Sequence, residues 1–250
     1  MARSLAQMNW PNLAEAVRGG VTTVILPLGA TEQHGPHLPL ATDTIRARAL
    51  AERVADRLEP DVLVAPALPF GCSDEHTGFP GLLGLDAGTL ARVIADLARR
   101  MSGWGVRRLV LLSAHGGNAE ALDLALKKLA KELPELDVLT NGSLEAIAPA
   151  LLEAAGQDGI SAGELGLHAG ESETSEMLHL RPELVGASRA VGFTGDMEAV
   201  MEELRAGGLQ AVTENGVLGD PARANPERGS RYLEAVADEF AAALRGSDAG

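Results

Sequence analysis

The stretch VTTVILPLGATEQHGPHLPLATD, residues 21–43, decides the fold. Its first part, Thr22 to Leu28, is a β-branched, leucine-rich run of strand length, and a polar segment punctuated by glycine and proline follows it without helical period. Working outward, similar runs at Val62 to Ala67, Arg108 to Ser113 and, more weakly, Leu136 to Thr140 alternate with longer stretches of helical period. Near-continuous apolar strands of this kind belong to a parallel sheet buried on both faces, and crossover connections then set helices on each side. The expected fold class is α/β, a three-layer α/β/α sandwich with a mostly parallel central sheet.

Helix ends are signalled by Pro11 near a start and Gly19-Gly20 at a stop, by Asp43 ahead of residues 44–58, and by Asp86 ahead of residues 87–103. Residues 119–133, 143–155 and 227–245 also read as helices. Long loops at 29–42, 68–85 and 156–169 interrupt the rhythm, and loops of such length in a compact domain are usually functional. With 250 residues and 46% hydrophobic content, one domain over 1–250 is expected, ending in a short polar tail at 246–250.

The net charge of −14 repels phosphate backbones and anionic lipid, so neither nucleic acid nor a membrane is an expected partner. Cys72, the single cysteine, cannot close an internal disulfide, and no run approaches the ~20 apolar residues needed to cross a bilayer. The first residues lack the basic-then-apolar plan of a secretion signal, so a cytoplasmic location is expected.

Chemistry concentrates in the loops. Gly29 to Asp43 gathers Glu32, His34, His37 and Asp43, oxygen and imidazole donors without thiolate, which suits zinc or manganese. Glu32 and His34 are two apart, so in an extended segment they leave one face and could grip adjacent ions, with Asp43 bridging. His37 reads either as an outer support or as a backbone-satisfying histidine. SAHGGN at 113–118 puts His115, Gly116 and Gly117 after a buried strand and before a helix; the glycines allow close approach of a ligand, and phosphate binding is the competing reading. Its place on the same sheet edge as the first loop favours His115 as a metal ligand. HAGESETS at 168–175 offers Glu173 as a further ligand and catalytic group, and His168 as a mobile proton carrier. Glu171 reads better as a partner of the helix dipole, and His179 as structural. Ser73, Glu75 and His76, in GCSDEHTGFPG at 71–81, could wall a substrate pocket, or Glu75 and His76 could belong to a subunit interface.

Taken in order, EQHGPHLPLATD, SDEHTGFPG, SAHGGN, HAGESETS and NGVLGDPARA (215–224) resemble the creatininase family of amidohydrolases over nearly the whole chain. The resemblance implies an α/β/α fold, two divalent ions (zinc, manganese or both), and a homohexamer built as a trimer of dimers. It also implies Glu32, His34 and a bridging Asp43 as ligands, His115 as another, and His168 as the proton shuttle. Members acting on creatinine carry a glutamate where this chain has Gly117, so Glu173 is the candidate replacement; their substrate-clasping tryptophans have no counterpart, since the tryptophans here are Trp10 and Trp104. The expected activity is hydrolysis of a carbon–nitrogen bond in a small cyclic amide by metal-activated water. Trimming of a ribosomally made precursor peptide, of the mycofactocin type, is the alternative within the enzyme class, and a non-catalytic metal or ligand binder the alternative outside it.

Overall fold

A computed structural model describes residues 3–58, 62–140, 144–196 and 199–246. In chain order its elements are β1 (Arg3–Ser4), α1 (Trp10–Arg18), β2 (Thr23–Leu28), α2 (Thr42–Arg57), β3 (Leu63–Val64), α3 (Ala87–Gly103), β4 (Arg108–Ser113) and α4 (Ala119–Glu132). There follow β5 (Asp137–Thr140), α5 (Leu144–Gly156), α6 (Ala162–Leu165), α7 (Glu171–Leu180), α8 (Met201–Gly207), α9 (Leu209–Val212) and α10 (Pro226–Gly246). The strands form one parallel sheet in the order β1-β3-β2-β4-β5.

The period of two along a strand splits the core into two layers. Val24, Leu26, Leu28, Leu109 and Leu111 pack on α1, α3 and α4, whereas Ile25, Val64, Val110 and Leu112 pack on α2 and α10. Both faces of β2 and β4 are therefore buried, which is why these strands read as unbroken apolar runs. β2 and β4 pair in register from Thr23↔Arg108 to Leu28↔Ser113, so both end at one level of the sheet. The loops that follow them emerge side by side.

Several boundaries differ from the sequence reading, each for a local reason. The run Val62 to Ala67 yields only Leu63–Val64 as strand, because Pro66 has no N–H to give the ladder; pairing resumes when the Leu68 N–H donates to the Pro27 carbonyl at 3.0 Å. Asp43 does not precede its helix but lies in the first turn of α2, whose N-cap Ala41 makes no side-chain cap. Its carboxylate is thereby free for other partners. Asp86 does cap α3, accepting from Thr89 N at 2.9 Å, and Asn9 caps α1 by accepting from Asn12 N. The expected loop 156–169 holds α6, fixed by a capping box between Ser161 and Glu164 that the S-x-x-E spacing announces. The expected start of a helix at residue 143 lies outside the described residues, and of the expected tail at 246–250 only Gly246 is described, as the last residue of α10. Among the described residues, no helix is long and apolar enough to cross a membrane.

Leu111 is fully buried at the centre of β4. Leu111→Ala should cost about 2–5 kcal/mol, read as a lower urea midpoint with an unchanged slope.

Candidate metal centre

The carboxyl edge of the sheet assembles the site. After β2 the chain turns tightly through His34, with isolated bridges to Pro36 and Leu38, and delivers Glu32, His34 and then Asp43 on α2. After β4 comes His115. The loop after β3 contributes a 3-10 turn at Asp74–His76, and the start of α7 contributes Glu173, with His168 just before it. Asn118 ties the first three of these together. Its amide nitrogen donates to Gly29 O (3.2 Å) and Ser113 Oγ (3.1 Å), and its oxygen accepts from Cys72 N (2.9 Å).

Glu32, His34, Asp43, His115, His168 and Glu173 are all buried and all meet. Asp43 stands between two imidazoles, with Oδ1 3.2 Å from His34 Nε2 and Oδ2 3.3 Å from His115 Nδ1. Glu32 lies 3.1 Å from His76 Nε2, 3.4 Å from His115 Nε2 and 3.9 Å from His168 Nδ1. Glu173 Oε2 is 3.6 Å from His34 Nε2. Three donor sets each converge within the reach of one cation: Glu32, Asp43 and His115; His34, His168 and Glu173; and Glu32, His76 and His168. Both oxygens of Glu32 and Oδ2 of Asp43 are buried without a hydrogen bond. Stranded carboxylate oxygens of this kind are strongly unfavourable unless cations answer them, and the mixed oxygen and imidazole donor set suits divalent zinc or manganese. The residues present fit such ions.

The electrostatics sort the histidines. Burial alone would depress His34, but the Asp43 carboxylate, with Glu173 and Glu32 behind it, carries it up to about 9. Burial also opposes charge on His115, and Asp43, Glu32 and Glu75 raise it to about 10. In return His34 and His115 overcome the burial of Asp43 and hold it well below the usual carboxylate range. His168 goes the other way, since burial and the neighbouring imidazoles of His34 and His76 keep it neutral. His37 is lowered to about 4 by burial, with Arg189 and His34 adding to it, and its Nε2 meets Thr174 Oγ1 at 2.8 Å.

The wall residues divide. Ser73 and His76 are buried and turned onto site rings, Ser73 Oγ lying 3.3 Å from His115 Nε2. Glu75 is the half-buried member, its side chain 32% accessible, 3.8 Å from His115 Nε2 and close to Gly117, whose neighbour Gly116 is exposed. Gly117 packs under the loop from β3, where any Cβ would come 2.1 Å from the Cys72 carbonyl. Glu171 differs from its reading as a dipole partner. It is fully buried and accepts from Arg228 Nε (2.6 Å), Ser175 Oγ (2.7 Å) and Tyr232 OH (2.8 Å), which locks α7 to α10. His179 sits exposed at the far end of α7, 3.4 Å from Arg53, away from the site.

Sequence reading missed Gln33, Arg46 and Asn118. Arg46 was signalled only by its place one turn after Asp43. Its Nη1 donates to Glu173 Oε1 and its Nε to Glu176 Oε2, both at 2.6 Å. Glu173 Oε2 accepts from Ala169 N at 2.7 Å, a bond aimed by the left-handed backbone of Ala169 (φ 52°), which costs on the order of 1–3 kcal/mol in a residue with a Cβ. Arg46→Met should strand Glu173 and Glu176 and cost about 3–5 kcal/mol of unfolding free energy. The deficit should narrow as pH falls, because the stranded carboxylates then take up protons; urea titrations at two pH values measure it.

Comparison with known proteins agrees with this geometry. The creatininase family profile, described as creatinine amidohydrolase, matches residues 6–244. The chain is 37% identical to the mycofactocin precursor peptide peptidase of Mycolicibacterium smegmatis, over 85% of this chain and 80% of that protein. It is 30% identical to the creatinine amidohydrolase of Pseudomonas putida, over 96% of this chain and 95% of that one. Among solved structures, a manganese creatininase superposes with a TM-score of 0.77 at 29% identity, each chain covered to 99%. A zinc–zinc form of a creatininase variant gives 0.77 at 28% identity, covering 99% of this chain and 98% of that one. A parallel sheet carrying buried carboxylates and imidazoles on one edge, matched along almost its whole length, makes this chain a member of the creatininase family of hydrolases.

Proposed function

We propose that this chain is a metal-dependent amidohydrolase that cleaves a carbon–nitrogen bond with activated water, the substrate being a small cyclic amide. The observation that carries this reading is the pair of buried carboxylates, Glu32 and Asp43, whose bare oxygens face imidazoles from separate segments. Glu32, Asp43 and His115 would hold one ion, and His34, Asp43 and Glu173 the other, with zinc, manganese or both as occupants. Divalent ions there supply Lewis acidity towards a carbonyl oxygen and lower the pKa of water towards neutrality. Asp43 has one oxygen beside His34 and the other beside His115, and Arg46 and the Ala169 N–H each take one lone pair of Glu173, fixing the carboxylate with Oε2 turned to His34. His168, held neutral, takes a proton from water and returns it to the departing nitrogen. Glu75 and Gly116 at the mouth would touch substrate, while Ser73, His76 and Gly117 support the rings and the loop behind them.

The second reading, trimming of a precursor peptide, is supported by the 37% identity to a peptidase of that description. The tryptophans do not favour creatinine itself, since Trp10 is 80% exposed on α1 and Trp104 closes α3 ahead of the start of β4, away from the carboxyl edge of the sheet. We further assign the chain a single domain, a cytoplasmic location and a homohexameric assembly; the assembly is the one the family resemblance implies, and exposed apolar side chains such as Phe70 and Leu83 support it.

Turnover of a panel of cyclic amides and short peptides by metal-loaded protein decides between the substrates, and full-rate hydrolysis by metal-free protein would refute the scheme. Glu32→Ala or Asp43→Ala should lose bound metal and activity together. His168→Ala should keep its metal, by elemental analysis, while kcat falls roughly 10²–10⁴-fold. Without metal, His34 and His115 are protonated at neutral pH, with pKa values of about 9 and 10, and a protonated imidazole has no lone pair for a metal. Metal uptake should therefore release protons, and affinity should rise as pH increases from 6 to 8, as measured by calorimetry in buffers of different ionisation heat.

A further inference from the structure

We propose that Gln33 is a positioning residue whose side-chain amide fixes the proton on His76, so that His76 presents an N–H and His168 a lone pair to the same oxygen of Glu32. The inference draws its functional meaning from the reading of His168 as proton carrier, but its geometry is independent of that reading.

The amide has one possible orientation. Its oxygen accepts from the Gly35 N–H at 2.8 Å, and its nitrogen donates to the Gly216 carbonyl at 3.1 Å. A backbone N–H only donates and a carbonyl only accepts, so the two bonds exclude a flipped amide. The seat is tight: a Cβ at Gly216, whose φ is +76°, would come 2.0 Å from Gln33 Oε1.

One amide proton is committed to Gly216, and two ring nitrogens stand within reach of the other, His76 Nδ1 at 3.0 Å and His168 Nε2 at 3.1 Å. His168 Nε2 also lies 2.7 Å from the backbone carbonyl of Gln33. That oxygen cannot donate, so His168 Nε2 carries the proton and cannot accept from the amide. The remaining amide proton goes to His76 Nδ1. A neutral His76 then holds its own proton on Nε2, 3.1 Å from Glu32 Oε1, while His168 turns its bare Nδ1 to that oxygen from 3.9 Å. The two rings lie with centroids 4.6 Å apart. His76 is thus protonated on the side that faces Glu32 and has no lone pair for a metal there, and of the two rings His168 alone can accept a proton from the site. Outer groups that fix ring orientation in this way commonly govern the activity of the groups they hold.

The test is the tautomer itself, read by long-range proton–nitrogen correlation on zinc-loaded protein labelled with ¹⁵N-histidine, with His76 and His168 assigned by single substitution. Both rings should show a protonated Nε2 and a bare Nδ1. In Gln33→Glu, where a carboxylate replaces the donor, His76 should acquire a proton on Nδ1, whereas His168, bonded to the backbone, should keep its pattern. Metal content should be unchanged and kcat should fall roughly 10–100-fold. A bare Nε2 on His76 in the unsubstituted protein overturns the proposal whether or not the variant folds, and so does Gln33→Glu with His76 unaltered. Protein with the expected tautomers that hydrolyses no amide or peptide would overturn the hydrolase reading and leave the assignment of Gln33 standing.

Discussion

Two carboxylates buried with bare oxygens, Glu32 and Asp43, are the constraint around which the rest of the molecule is organised. In water each oxygen would be solvated by several donors; here those donors are withheld, and the charge is left for a cation to answer. Such an arrangement survives folding only if the surrounding frame is rigid and well anchored. The parallel sheet supplies that frame, since β2 and β4 end at the same level and place their following loops together. Asn118 then joins the β2 end, the β4 end and the loop beyond β3 through one side chain.

Charge within the site is divided by position. His34 and His115 face Asp43 directly and are drawn towards the protonated form, whereas His168 sits behind them, among other imidazoles, and is pushed to neutrality. Arg46 carries a charge that does not depend on pH, and it is directed to Glu173, Glu176 and the Oδ1 of Asp43, not to the bare oxygens. The same six or seven side chains therefore separate into groups suited to hold ions, a group suited to move a proton, and groups that keep both in place.

Much of this was legible in the sequence because it depends on period and chain order. Apolar runs gave the strands, and the position of the Glu32 and His115 segments immediately after two of them placed both on the carboxyl edge. What was not legible depends on contacts between distant residues. Pro66 shortened a strand whose composition alone suggested more. Glu171 reads as a partner of the helix dipole, yet Arg228 and Tyr232, some sixty residues later, make it an internal anchor. Gln33 lay inside the most informative motif and was passed over, since nothing local says that His76, His168 and Gly216 will meet around its amide. Gly117 reads as room for a ligand, and the close approach of the Cys72 carbonyl, His115 and Glu75 to it depends on contacts that no local pattern announces.

The tie between Glu171 and the final helix bears on how the protein comes into being. The segment carrying Glu173 is held by Arg228 and Tyr232 of α10, some sixty residues on, so the side of the buried cluster that Glu173 forms is fixed only once α10 has docked. The sheet and its first helices can form earlier, with the acidic cradle still open on one side. Closure of the buried cluster is thus tied to the docking of a helix distant in sequence, and not to any local motif.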